Sequence, residues 1–128
     1  MLGSERVTIR KAGTMGRYFI LNDGNIIEEP DYETWAQWYE STYDKISSIA
    51  VTETEQGTVE TRFIAMSMSL NRQAPPLLFE TKVTGGWLDG RVDRYSTLDE
   101  ARSGHEAWVQ KVRQEEKENH LPPPGAGW

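Results

Sequence analysis

The sequence predicts an α+β fold: an antiparallel sheet of about five or six strands with two helices packed on one face. Three observations carry this. Two stretches rich in β-branched and aromatic residues fold back around turn signals at Asn22-Asp23-Gly24 and Glu55-Gln56-Gly57. Two more strand-like stretches lie between Leu77 and Tyr95. Two segments, about Asp31 to Thr42 and Thr97 to Gln114, repeat large apolar residues at helical spacing. A partly closed barrel plugged by the second helix is the competing architecture.

Met1 to Gly16 contains a brief alternation, Val7-Thr8-Ile9, before Gly13 and Gly16, and is expected as a flexible arm or edge strand. Arg17–Leu21 and Asn25–Glu28 form the first hairpin around Asp23-Gly24. In the helix that follows, Pro30 suits the first turn, Asp31 and Glu33 suit its positive end, and Tyr32, Trp35, Ala36, Tyr39 and Tyr43 make one stripe. Trp38 falls off that stripe, beside the polar face. The second hairpin pairs Lys45–Thr54 with Thr58–Met68, and along its second arm Val59, Thr61, Phe63 and Ala65 share one face. Asn71 to Pro76 is a loop, because consecutive prolines neither donate ladder bonds nor continue a helix. Leu77–Thr84 is an apolar strand, Gly85–Gly90 a turn, and Val92–Tyr95 a last short strand. The final helix opens on a capping box, in the register Thr97–Glu100 or Ser96–Asp99. It carries the stripe Leu98, Ala101, His105, Trp108, Val109 and Val112. The domain is thus expected over residues 17–114. Residues 115–128, with Pro122-Pro123-Pro124, Gly125 and Gly127, read as a disordered tail in which Trp128 is a frayed end.

Composition narrows the function. The 128 residues include five Trp, five Tyr and three Phe, enough large side chains for a core, so full disorder is excluded as the default. No apolar run approaches the roughly 20 residues that span a bilayer, and a soluble cytoplasmic protein is expected. With no cysteine, disulfides, thiolate metal sites and cysteine nucleophiles are ruled out. The net charge of −6 is uneven: Asp23 to Glu60 holds ten acidic residues and one basic, a net −9, whereas Met1 to Asn22 holds four basic and one acidic. Without clustered Lys and Arg or an RNP-type aromatic motif, direct nucleic-acid binding is not expected. The acidic stretch suits either solvation or a basic partner.

Pro75-Pro76-Leu77-Leu78-Phe79-Glu80-Thr81, followed by Gly85-Gly86, Asp89-Gly90, Tyr95-Ser96-Thr97, Glu100-Ala101 and Gly104-His105, resembles a family of small uncharacterised proteins of tailed phages and prophages. Tyr18-Phe19-Ile20-Leu21, Trp35 and Trp38 are similar too, so the likeness spans about Arg17 to Val112. It implies a phage origin, with action in the infected bacterial cytoplasm or on a virion, and brings no reaction, cofactor or catalytic residue.

Few residues point to chemistry. The only histidines are His105 and His120, and a Glu80–His105 acid–base pair is the one candidate for catalysis. Such a pair serves structure equally well. Asp89 and Asp93 flank Gly90 and Arg91 as weak chelators at most, Gly85–Gly90 lacks a P-loop lysine, and neither a metal nor a cofactor is expected. The leading expectation is a non-catalytic accessory protein that binds another protein, a host defence factor being one candidate, through Glu33, Gln37, Trp38 and Glu40. The alternatives are a minor virion or assembly component that self-associates and a small enzyme using His105 and Glu80.

Overall fold

The computed structural model describes residues 16–118 apart from Met68, Leu70 and Arg72, with side chains as far as Glu115. Most of the N-terminal arm, the tail beyond Glu118, His120 and Trp128 lie outside the described residues. The fold is α+β, and the described residues form seven strands in two antiparallel sheets rather than one. In chain order the strands are β1 (Arg17–Asn22), β2 (Asn25–Glu28), β3 (Ser48–Thr54), β4 (Gly57–Phe63), β5 (Met66–Ser67), β6 (Phe79–Thr84) and β7 (Val92–Tyr95). Their spatial orders are β2-β1-β5 and β3-β4-β6-β7.

The first hairpin turns at Asp23 and Gly24, whose φ values of 54° and 83° are the paired left-handed conformations that Asp-Gly supplies at least cost. Chain continuity joins the two sheets. Ile64 and Ala65 carry β4 into β5, the Phe19 N–H donates to the Ala65 carbonyl at 2.8 Å, and the Ile64 N–H donates to the Leu78 carbonyl at 2.6 Å. One extended stretch therefore serves both sheets. Along it Val59, Thr61, Phe63 and Ala65 are all buried, the alternation expected of a sheet with one covered face.

The covering element is the helix Leu98–Glu118, which extends past Gln114. Of the two cap registers, the structure uses Thr97 with Glu100. The Glu100 N–H donates to Thr97 Oγ1 at 3.1 Å, and Glu100 Oε1 accepts from the Thr97 N–H at 3.2 Å. Ala101, His105, Val109 and Val112 are buried against the sheet, with Leu98 and Trp108 at the margin. Gly104 is required by close approach, because a Cβ there would lie 2.3 Å from the Tyr95 ring.

The other helical element is an uninterrupted run in three parts: α1 (Tyr32–Trp38), one π-helical turn (Tyr39–Tyr43) and α2 (Asp44–Ile46), after which Leu98–Glu118 is α3. Only Trp35 in this run is buried. Its indole N–H donates to the Phe19 carbonyl at 3.0 Å, fixing the ring against β1. The core is thus an aromatic cluster of Phe19, Trp35, Phe63, Phe79, Leu21, Leu78, Ala65 and Ala101, beside a smaller valine cluster under α3.

Candidate binding surface

The Glu80–His105 pair does not form. Period-two alternation in β6 buries Phe79, Thr81 and Val83 under α3 and turns Glu80 to the opposite face, where its carboxylate pairs with Arg94 at 3.0 Å. His105, 2% exposed, lies on the covered face. Its Nδ1 is 2.8 Å from Thr61 Oγ1 and its Nε2 is 2.9 Å from Thr52 Oγ1, and Thr61 is also bonded to Thr81. Burial pushes the imidazole pKa below its ordinary value, against a weaker upward pull from Glu106. The ring is held between threonine hydroxyls inside the packed helix–sheet layer, where it satisfies buried polar groups.

The Asp89 and Asp93 carboxylates are likewise engaged by neighbouring N–H groups. Asp89 Oδ1 accepts from the Gly85 N–H at 2.6 Å, and Asp93 accepts from the Arg94 N–H and the Trp108 indole. Among the described residues no group of three His, Asp or Glu side chains is placed to hold a metal ion.

Glu33, Gln37 and Glu40 are exposed, as expected, but Trp38 is not the free aromatic of this helix. It is partly buried, edge-on to Phe63 at 6.4 Å between ring centroids and to Tyr43 at 6.1 Å. The aromatic residues that do reach solvent are Tyr32, 39% exposed, and Tyr39, 42% exposed. Two physical causes shift the face. Trp35 is the pivot, and on a helix of 3.6 residues per turn Trp38 and Tyr39 flank it on opposite sides, so a wheel alone leaves open which of them turns inward. Moreover, an α-helical wheel sets Tyr43 about 80° from Trp35, whereas the wider i→i+5 turn over Tyr39–Tyr43 brings it back toward the core, where its hydroxyl donates to the Phe63 carbonyl at 2.8 Å.

Tyr39 consequently stacks on Tyr43 at 4.4 Å and stands beside Trp35 at 4.9 Å. Trp35 also meets Tyr18 of β1 at 4.8 Å and Tyr32 at 5.8 Å. With Ala36, Glu40 and Met66, the rings of Tyr18, Tyr32, Trp35 and Tyr39 line an open concavity of about 360 Å³. Met66, from β5, is also shared with a larger trough of about 670 Å³ on the open face of the four-stranded sheet. There Arg62, Glu80 and Arg94 sit opposite one another across β4, β6 and β7, above an apolar wall of Ile64, Pro75 and Leu77. Sequence reasoning missed Tyr18, Tyr32, Tyr39 and Met66 as surface groups. The available signal was the choice of tyrosine at stripe positions, since a ring with a polar tip suits a half-wet site.

The chain matches no protein-family model, no curated protein and no solved structure. No helix among the described residues is long and apolar enough to cross a membrane.

Proposed function

We propose that this chain is a non-catalytic binding protein whose helical run Tyr32–Ile46 docks a protein partner with a basic surface. The observation that carries this reading is a continuous surface of Tyr18, Tyr32 and Tyr39 with Met66 over buried Trp35, with the Glu40 carboxylate beside it. Such surfaces have the composition of interface hot spots, where Tyr, Trp and Met contribute contact area at low entropic cost. From Gly24 to Asp44 the sequence has no lysine or arginine, while Glu33, Glu40 and Asp44 are exposed. A basic partner is therefore steered toward this helix. The resemblance to small phage proteins supports a partner in the bacterial cytoplasm, a host defence factor among the candidates.

The test compares proteins retained from a bacterial lysate by three forms of the chain: unaltered, Tyr32→Ala/Tyr39→Ala, and a control altered outside this surface, Lys111→Ala on α3. All three are first shown to melt similarly. One protein should be retained by the unaltered and control forms, with affinity for the double variant reduced about 30-fold or more, as the loss of a hot-spot pair entails. Equal retention by all three would reject this surface.

A further inference from the structure

We infer that the concavity between Tyr32 and Tyr39 is a receptor for one arginine side chain of the partner; this rests on the protein-binding reading above and names the group recognised. Tyr32, Ala36 and Tyr39 are spaced four and three residues apart and so lie along one stripe of the run. The two tyrosines flank a position occupied by a methyl group, and the gap between them is the concavity. Trp35, 6% exposed and anchored through its indole N–H, supports both flanking rings. Tyr18 and Met66 close the side toward the sheets.

The chemistry of that lining selects the occupant. Ring faces carry the negative part of the aromatic quadrupole and attract a cation placed over them. Glu40 supplies a carboxylate at the rim, and among the described residues no cationic side chain lines the concavity. An apolar occupant would gain from the rings and lose nothing at Glu40 only if it left that carboxylate hydrated; a cation gains from both. Between the two basic side chains, guanidinium is the better match. It is planar, weakly hydrated and able to stack on a tyrosine while donating to a carboxylate.

The probe is acetyl-Gly-Arg-Gly-amide, with its citrulline counterpart as a neutral control of nearly the same shape, read by the NMR shifts of the Trp35 and Tyr39 ring protons. Binding in the millimolar range is expected for a single side chain, with the citrulline peptide about 3- to 30-fold weaker. Glu40→Gln should weaken the arginine peptide about 2- to 5-fold through an exposed charge. Ala36→Leu fills the gap and should abolish the shifts. Tyr39→Leu keeps apolar bulk while removing the ring, and should weaken binding about 3-fold or more even if the Ala36 variant folds poorly. Equal shifts with citrulline, no saturation by the arginine peptide, or unchanged binding in the Tyr39→Leu variant would each overturn the assignment. Because the peptide is read separately from lysate retention, the cation site can fail while protein binding through this surface stands, and the reverse.

Discussion

The two helical regions of the molecule use similar raw material for opposite ends. Helix α3 opens on a reciprocal cap, keeps a regular α-helical period and buries Ala101, His105, Val109 and Val112 in sequence. The run Tyr32–Ile46 begins at Asp31 without a side-chain cap bond, changes to a π-helical turn after Trp38 and buries Trp35 alone. One helix completes the core, whereas the other has one deep anchor, Trp35, with Trp38 and Tyr43 half-buried beside it, and displays Tyr32 and Tyr39. π-helical turns are energetically poorer than α-helical ones and concentrate at functional sites, which fits the second element as the one retained for its surface. Regularity marks the helix that builds the core, and irregularity marks the one proposed to bind a partner.

The sharpest way to break this contrast is to remove the anchor. Trp35→Ala deletes a buried ring and its bond to the Phe19 carbonyl, and should lower unfolding free energy by about 3–5 kcal/mol in urea titrations. Tyr39→Ala, at a 42%-exposed position of the same run, should cost far less. Equal losses at both sites would mean that the run is held as a whole, like α3, and not by one residue.

A smaller effect tests the closeness of α3 to the sheet. A methyl group at Gly104 would overlap the Tyr95 ring, so Gly104→Ala should destabilise by about 1–2 kcal/mol, overpacking outweighing the gain in helix propensity. In a Tyr95→Leu background the penalty should shrink or reverse. A penalty that persists there would place the constraint in the helix itself.

How much could be read from the sequence follows the same division. The hairpin at Asp23-Gly24, the buried alternation Val59-Thr61-Phe63-Ala65 and the α3 stripe were legible because each repeats a regular period or a turn with one cheap solution. The Glu80–His105 candidate failed although a signal against it was present, since Phe79, Thr81 and Val83 claim one face of their strand and assign Glu80 to the other. Trp38 was not legible. Its inward rotation depends on Phe63, twenty-five positions away in sequence, and on a π-helical turn that no local propensity announces. The division of strands into two sheets was hidden for a similar reason: Ile64 and Ala65 look like a continuation of β4, and only their separate partners, Leu78 and Phe19, reveal the handover.

The smallest expected effect concerns His105, the histidine buried under the regular helix. His105 has a folded pKa lowered by burial, so below the ordinary histidine value the unfolded chain binds a proton that the folded chain resists. Stability from this site is therefore fully present above about pH 6.5 and declines as pH falls below that value toward the depressed folded pKa. Urea midpoints for the unaltered chain should drop between pH 7.5 and 5.5 by more than those of His105→Gln, which offers hydrogen bonds to the threonines without titrating. The carboxylates also contribute to acid sensitivity, so the diagnostic quantity is the difference between the two slopes. Parallel slopes would show that His105 carries no linked proton and that the threonine network accepts the imidazolium as readily as the neutral ring. Tyr39→Ala, altering the display surface, should leave the slope unchanged, because the pH response belongs to the helix that builds the core.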